Sequence, residues 1–538
     1  MKNSNLSINS PWVGESRNGL KILHAGVIEN YEKLVELLLN DPHDLAQIQN
    51  LLRQEHQSYG IIIKSANFSF AVCDRTQSYP IYYNVKTNEI SHDIFKLTEK
   101  KLRENYDETA LLEFSCAGYV LGNKTLDKDI RQIQAGELIH MNNENQTTII
   151  TKCRYYSYIP KPTNNQKSNK EWISDLNNII DNIIIRSIEQ ANGRPICVPL
   201  SGGLDSRLIV AKLQEHGVKN IHTFSYGLSD NFEAKRAQKV ARQISLDWFM
   251  VPAEPKKAKN LFQSDTRKLY AQQAHGLSKI PSYVEYEALN TVKENNMIPE
   301  DCMIINGQTG DYISGGHVPE CLYKKDNPTE DDLYNYIIEK HFSLWKNLKT
   351  SENIQKLKQS ISESLLPNNA DMSLKDNLIS RYESFEWQER QCKMVVHGQK
   401  IYDFFGYGWS LPLWDRELMD FFETVPWELK YRQKLFKDYL KDYNYKGIFE
   451  YPSATPEIWK PHQYWIVITA RIIGLINSQE AKQDFYKKMS YYGDAHWQYA
   501  LFDKKLYDKH YKEIRNMISF TILDFLTEYE IKFPIKTH

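Results

Sequence analysis

The chain has 538 residues, of which 41% are hydrophobic and 25% are charged, and its formal net charge is −1 at pH 7. This length predicts about two to four domains of ordinary globular composition. The balanced charge argues against a general affinity for nucleic acid or for an anionic membrane. The seven cysteines lie far apart without a CxxC pair, which argues against a disulfide framework or a zinc site.

The beginning of the sequence, MKNSNLSINSPWVGES, has no apolar stretch of the kind found in a signal peptide. The most apolar segment, residues 465–476, is too short to span a bilayer and contains Arg471. We therefore expect a soluble cytoplasmic protein with reduced thiols and no membrane partner.

The first part of the chain, up to about residue 158, predicts mainly strands. Short runs of β-forming residues, separated by polar turns, occur at 68–75, 79–84, 137–142 and 147–156. One helix is predicted among them, at 30–39. The following segment, 159–172, is polar and contains two prolines, which is typical of a linker.

After the linker, predicted helices and strands alternate. Helices are predicted at 172–190, 205–217 and 233–244, and strands at 195–200, 220–227 and 246–251. This alternation predicts a parallel sheet covered by helices on both faces. From about residue 328 to the end, the sequence predicts mainly helices.

The motif SGGLDS, residues 201–206, lies between a predicted strand and a predicted helix. Gly202 and Gly203 would let backbone N–H groups approach an anion, and Ser201 and Ser206 would add hydroxyl donors. Asp205 would repel a phosphate unless a Mg²⁺ ion lay between them. The motif therefore predicts a magnesium–phosphate site, and an ordinary strand-to-helix turn is the alternative.

With its strand, this motif resembles the pyrophosphate loop of the N-type ATP pyrophosphatases, which cleave ATP between the α- and β-phosphates. Within that superfamily the chain is similar to asparagine synthetases and their relatives, including β-lactam synthetases and lasso-peptide cyclases. The segments that carry this resemblance are HTFSYGLSDNFEAKRAQKVARQI (222–244), INGQTGDYISGGH (305–317) and GWSLPLWDRELMDFFETVP (408–426). Segments 26–38, 68–75 and 118–141 resemble a class II glutamine amidotransferase domain.

The resemblance implies an α/β protein with two domains. Residues 1–160 would form a degenerate amidotransferase-like domain, an α+β β-sandwich of the Ntn-hydrolase type. Residues 168–538 would form a synthetase domain with a doubly wound parallel sheet, as in adenine nucleotide alpha hydrolases, and a helical extension.

The same resemblance implies ATP and Mg²⁺ as cofactors and assigns their binding residues. Asp205 and Asp311 would hold the metal, since two carboxylates from separate strand ends are a usual anchorage for Mg²⁺. The residues expected to hold the nucleotide and its pyrophosphate are Leu200, Ser201, Gly202, Gly203, Asp205, Ser206, Tyr226 and Gly307.

The chemical step needs positive charge near the α-phosphate. The resemblance points to Lys460 for this role, and Lys437 is a second candidate. An amine nucleophile must also lose a proton. Asparagine synthetases have a glutamate three residues before the metal-binding aspartate, where this chain has Gln308, and Glu389 is a candidate for a replacement base.

A glutaminase of this class uses an N-terminal cysteine, whereas the sequence begins Met-Lys-Asn and its first cysteine is Cys73. We therefore expect an ATP-dependent ligase that adenylates a carboxylate and couples it to ammonia or an amine, without its own glutaminase activity. The acceptor could be aspartate, a uronic-acid sugar of a polysaccharide, or a natural product that closes on its own amine. The sequence leaves open two alternative functions, a nucleotide-binding relic and an RNA-modifying pyrophosphatase. No basic face suggests a nucleic-acid partner. A homodimer is also left open.

Overall fold

The structure is a computed structural model that describes residues 10–144, 147–163, 167–229, 231–452, 464–492 and 501–534. Its first half contains two antiparallel sheets. The strands of the larger sheet are β1 (Val13–Arg17), β2 (Leu20–Gly26), β3 (Tyr59–Lys64), β4 (Phe68–Cys73), β8 (Glu137–Glu144) and β9 (Thr147–Arg154), in that spatial order. The smaller sheet has the order β6 (Ile90–Ser91), β5 (Tyr82–Asn84) and β7 (Ile130–Gln132).

The larger sheet is covered on both faces. On one face, Ile61 and Phe70 pack with Leu34 and Ile48 from the helices Tyr31–Asn40 and Leu45–Leu52. On the other face, apolar side chains of the two sheets form a shared core, whose members include Ile62, Ala71, Ile139, Ile81 and Tyr83. This is a sheet-on-sheet sandwich of the kind that the sequence predicts.

The second half contains a five-stranded sheet in which every pairing is parallel. Its spatial order is β12 (Asp247–Pro252), β11 (Ile221–Gly227), β10 (Ile196–Pro199), β13 (Met303–Ile305) and β14 (Gly408–Ser410). The chain moves outward from β10 in one direction to β12, and then in the other direction from β13 to β14. The order therefore reverses between β10 and β13, and ligands of open α/β sheets bind beside such a reversal.

Helices make up most of the remaining described chain. The first half also has Leu102–Asn105 and Glu108–Ala117. Around and between the parallel strands lie Asn169–Ala191, Leu204–Glu215, Phe232–Gln243, Pro255–Phe262, Asp265–His275, Tyr286–Glu294 and Gly310–Ile313. Beyond β13 lie Glu320–Tyr323, Glu330–His341, Ser351–Ser364, Leu374–Phe385, Lys400–Phe405, Arg416–Thr424, Trp427–Lys430 and Lys434–Tyr443. The last helices are Tyr464–Ile476, Gln479–Met489, Lys504–His510 and Ile518–Glu528.

The segment Glu386–Val395 is a π-helix that continues directly from the helix Leu374–Phe385. A π-helix is hydrogen-bonded from i to i+5, so its side chains are distributed differently from those of an α-helix. This difference determines which of its residues face the functional site.

The predicted α/β class, with an antiparallel first half and a doubly wound parallel sheet, is confirmed. The alternating helices and strands after residue 169 lie within a few residues of their predicted positions. Strands β1 to β3, β6, β7, β13 and β14 and three first-half helices go beyond the predicted elements. Among the residues that the structure describes, every helix is too short or too polar to cross a bilayer.

The two halves share a polar interface built around Glu389. This residue is 0% exposed, and its carboxylate accepts from the Gly122 amide at 3.0 and 3.1 Å. Lys393 Nζ lies 2.5 Å from Glu389 Oε2 and donates to the carbonyls of Val120 and Gly122 at 2.8 and 2.7 Å. The pair therefore joins the π-helix to the first-half turn at residues 120–122, and this position identifies Glu389 as an interface residue.

Replacing Lys393 by Met should destabilise the protein, because Glu389 would remain buried without a cationic partner. We expect the free energy of unfolding to fall by about 3–5 kcal/mol, with partial recovery in Glu389→Gln/Lys393→Met, as measured by urea denaturation. The control is Lys358→Met, since the ion pair of Lys358 with Asp331 is largely exposed. An equal effect of the two single substitutions would contradict the structural role of the buried pair.

Candidate functional site

The loop after β10 is closed by its own serines. The Ser201 amide donates to Ser206 Oγ at 3.0 Å, and the Gly203 amide donates to Ser201 Oγ at 3.0 Å. Because Ser206 lies in the first turn of the helix Leu204–Glu215, these bonds fix the loop against the beginning of that helix. The helix N-terminus carries a partial positive charge that favours an anion at this loop.

Two arginines lie behind the loop. Arg207 is 0% exposed and donates to the Gly202 carbonyl. It also donates to the carbonyls of Ile448 at 3.1 Å and Tyr451 at 2.9 Å. Arg236 donates to the same Gly202 carbonyl at 3.4 Å. Burial, followed by the charge of Arg236, lowers the pKa of Arg207 to about 10, so Arg207 stays cationic at neutral pH and adds positive charge behind the glycines.

The loop after β13 packs directly onto Asp205. The Asp311 amide donates to Asp205 Oδ2 at 3.2 Å. A Cβ atom on Gly307 would lie 2.9 Å from the Asp205 carbonyl carbon, and one on Gly310 would lie 2.6 Å from the Asp205 carboxyl group. Real Cβ atoms do not approach neighbours so closely, so glycine at both positions allows the two loops to meet.

The carboxylates of Asp205 and Asp311 form a site that fits a metal ion. Partial burial, followed by the charge of Asp311, raises the pKa of the half-buried Asp205 to about 8. The pair therefore favours a proton or a cation between its members. Within the described residues, no three His, Cys, Asp or Glu side chains are grouped for metal binding. Two carboxylates, with phosphate oxygens and water, make up a donor set that Mg²⁺ accepts.

His317 connects this carboxylate pair to the π-helix. Its Nε2 lies 3.4 Å from Asp311 Oδ2, and its Nδ1 lies 2.5 Å from Glu386 Oε1. Burial disfavours the charged ring, but the hydrogen bonds to Asp311 and Glu386 raise the pKa of His317 to about 9. His317 is therefore a cation at neutral pH in the absence of a metal.

Glu386 is held as an anion by its surroundings. Burial acts to raise the pKa of its carboxyl group, but His317 and Lys340 hold that pKa well below its usual value. Lys340 Nζ lies 3.0 Å from Glu386 Oε2, and the Tyr382 hydroxyl donates to the same oxygen. Three neighbours therefore fix the carboxylate that orients the His317 ring.

One cavity of about 1340 Å³ is lined by both loops, His317 and Glu386. Phe224, Tyr226 and Leu228 line it next to the end of β11, where they offer an apolar surface to a planar base. The Tyr226 hydroxyl donates to Glu285 Oε1 at 2.8 Å, which fixes its ring. Typical small-molecule sites have volumes of about 300–1,000 Å³, so this cavity has room for an acceptor beside a nucleotide.

The structure brings most of the sequence-predicted site residues into this cavity. Those that line it are Leu200, Ser201, Gly203, Asp205, Ser206, Tyr226, Gly307, Asp311 and Lys437. Gly202 lies in the same loop, with its carbonyl directed to the two arginines. The exposed Lys437 Nζ donates to the Arg432 carbonyl at 2.8 Å.

Two other candidates are not part of the described cavity. Lys460 lies outside the described residues, so its predicted role stays a prediction. Glu389 lies in the interface between the halves and does not line the cavity. Its expected role as a base does not fit this position, because Lys393 and the Gly122 amide occupy its oxygens.

Sequence reasoning missed His317, Glu386, Lys340 and the arginines behind the loop. His317 lies within the motif INGQTGDYISGGH, and Glu386 lies three residues before Glu389. The signal for His317 was therefore present in the motif. For Glu386 and Lys340 the signal is their position in the fold, which the sequence alone does not reveal.

Residues 187–446 match the family model described as asparagine synthase, over slightly less than half of the chain. The matched segment contains both loops, His317 and Glu386. The match supports an ATP-dependent ligase of the asparagine synthase type. No curated protein matches the sequence.

Two solved structures show weak likeness to the chain. One is described as the allosteric regulatory enzyme of purine biosynthesis, with 12% identity and a TM-score of 0.17 over 45% of this chain. The match covers 62% of that structure's chain, which is less than two thirds of its length. The other is glutamine phosphoribosylpyrophosphate amidotransferase from B. subtilis complexed with ADP and GMP. It has 12% identity and a TM-score of 0.17, over 69% of this chain and 78% of the other. At this TM-score we draw no conclusion from either likeness.

Asp205→Asn should stabilise the metal-free protein at alkaline pH. Folding raises the pKa of Asp205 from its ordinary value of 3.8 to about 8, so folding favours the protonated carboxyl group. The stability that this group contributes is fully present below pH 3.8 and is lost as the pH rises through 8. In EDTA, the Tm of the wild type should therefore fall relative to that of Asp205→Asn between these pH values. Asp301→Asn, at an exposed position, is the control. Parallel Tm curves for the wild type and Asp205→Asn would contradict the close carboxylate pair.

Proposed function

We propose that this chain is an ATP- and Mg²⁺-dependent ligase that adenylates a carboxylate and then joins it to ammonia or an amine. The observation that carries the proposal is the meeting of Asp205 and Asp311 at the SGGLDS loop, within one cavity. The asparagine synthase match supports the general class. Adenylation and the order of steps are inferred from the site.

In the first step, an oxygen of the acceptor carboxylate attacks the α-phosphorus of ATP, and pyrophosphate leaves. The Ser201 and Ser206 hydroxyls and the helix N-terminus would bind the departing pyrophosphate. Arg207 and Arg236 would stabilise its growing negative charge from behind the loop. Mg²⁺, held by Asp205 and Asp311, would neutralise phosphate charge. Lys437 and the predicted Lys460 are candidates for additional positive charge at the α-phosphate.

In the second step, the nitrogen attacks the acyl carbon, and AMP leaves as the amide forms. The attacking amine must lose a proton, and the amide side chain of Gln308 cannot take one. We assign this transfer to Nε2 of His317, whose Nδ1 is fixed by Glu386 at 2.5 Å. A metal ion at Asp311 would remove the hydrogen bond that favours the protonated ring, so that Nε2 could give up its proton to water and then accept one from the amine.

We also propose that the chain does not hydrolyse glutamine. Cys73, the first cysteine of the sequence, lies in β4 and is fully buried. Burial raises the pKa of its thiol well above the usual value, so Cys73 does not fit the role of a nucleophile. The nitrogen would come from free ammonia, a separate glutaminase or an amine of the substrate.

The reaction products test this proposal directly. With Mg²⁺, ATP, ammonium chloride and a panel of carboxylates that includes aspartate and uronic-acid sugars, we expect AMP and pyrophosphate to form in equal amounts. Replacing ammonium by glutamine should abolish amide formation. The appearance of ADP and phosphate would contradict adenylation, and glutamine-dependent ammonia release would contradict the inert first half.

Substituting His317 should separate the two steps. We expect His317→Gln to slow amide formation by about 100-fold or more, and to slow acid-dependent exchange of pyrophosphate into ATP much less. The comparison uses the acid that supports AMP formation in the wild type. Equal loss of both rates would place His317 in adenylation instead.

A further inference from the structure

Arg390 lies one helical turn beyond Glu386 in the π-helix and lines the same cavity. Asp311, His317 and Glu386 form a continuous series of contacts that leads from the metal site to this helix. Arg390 therefore lines the cavity from the same π-helix that carries Glu386.

The charge of Arg390 is uncompensated within the described part of the chain. Its half-buried side chain has neither an ion pair nor a hydrogen bond there. Arg390 and Tyr119 line the same cavity. Burial, the larger effect, raises the pKa of Tyr119, and the charge of Arg390 opposes this rise. A guanidinium in a cavity wall, without an anionic partner, is a ready binding group for a carboxylate or phosphate.

The carboxylates around Tyr119 each have a different cation. Glu113 lies 2.5 Å from Lys124, Glu389 lies 2.5 Å from Lys393, and Glu386 lies 3.0 Å from Lys340. The nearby His341 does not supply an opposing charge, because burial lowers its pKa to about 3 and keeps it neutral. Each of these carboxylates is therefore paired with a cation other than Arg390.

An unpartnered polar group lies in the same wall. The hydroxyl of Tyr119, a residue that is 1% exposed, has no hydrogen-bond partner among the described residues, and Tyr119 lines the cavity. Buried polar groups are normally hydrogen-bonded, and a hydroxyl can donate to an anion, so the lack of a partner here points to a ligand that accepts from it.

We infer that Arg390, with Tyr119, forms a subsite for a second anionic group of the acceptor substrate. We call these two residues the Arg390 subsite. The inference rests on the proposed function, because the acceptor carboxylate that reacts would lie near His317. The second group is a carboxylate or a phosphate, and the acceptor is therefore at least a dianion.

The subsite also gives the first half of the chain a part in substrate recognition. Tyr119 belongs to the first half, just after the helix Glu108–Ala117, whereas Arg390 belongs to the second. The Glu389–Lys393 pair holds the same π-helix against residues 120–122. The interface between the halves would thus position the subsite.

Paired acids test the subsite by binding alone. Binding would be measured by isothermal titration in the presence of Mg²⁺ and α,β-methylene-ATP, which blocks turnover. One pair compares aspartate with 3-aminopropionate, which lacks one of its two carboxylates. The other pair compares galacturonate 1-phosphate with galacturonate, which lacks the phosphate. The first pair tests a carboxylate and the second a phosphate. In at least one pair, the wild type should bind the member with the extra anion about 10-fold or more tightly. Arg390→Gln should lose this preference, and Arg390→Lys should keep part of it.

The matched control is Arg242→Gln, which removes the same charge from an exposed position outside the cavity. Tyr119→Phe should weaken the preference by a smaller factor than Arg390→Gln. An unchanged thermal shift with MgATP would show that Arg390→Gln is folded.

Several outcomes would overturn the subsite. One is the absence of a preference for the extra anion in either pair. Another is a preference that survives in Arg390→Gln or disappears in Arg242→Gln. If the preference depends on Arg390 but no acid supports AMP formation, the subsite stands and the proposed ligase activity is contradicted.

Discussion

The functional site depends on the close approach of two loops at the reversal of strand order. Gly307 and Gly310 allow the loop after β13 to press against Asp205, where any side chain would collide. This packing places two carboxylates together, and their repulsion can be relieved by a proton or a cation. This pair of carboxylates thus follows from backbone packing, since the strands β10 and β13 are neighbours.

Charge is ordered along the cavity from this point. Arg207 and Arg236 lie behind the SGGLDS loop, the two aspartates lie in front of it, and His317 and Glu386 follow. Arg390 lines the same cavity from the π-helix. Such alternation suits the proposed reaction, in which pyrophosphate would leave at the loop and an anionic acceptor would be held in the same cavity.

Local sequence patterns were sufficient for β10, β11 and β12 of the parallel sheet and for the SGGLDS loop, because short-range periodicity and residue type determine them. They did not predict β13 and β14, which are three residues long each. They were insufficient for Glu386, Arg390 and Glu389, which lie within five residues of one another. The π-helix and its packing against Gly122 turn Glu389 into the interface and leave Glu386 and Arg390 in the cavity. Which of these residues faces the cavity and which faces the interface depends on contacts between distant parts of the chain. The burial of Arg207 against Tyr451 depends on such contacts as well.

The most direct measurement of the central claim is acid-dependent exchange of labelled pyrophosphate into ATP with Mg²⁺, in the wild type and in Asp311→Asn. The account predicts exchange that requires both a carboxylate and Mg²⁺, and its loss in Asp311→Asn. Exchange that persists in Asp311→Asn would contradict the paired-carboxylate site. Tight ATP binding without exchange for any acid would contradict adenylation and favour a nucleotide-binding relic.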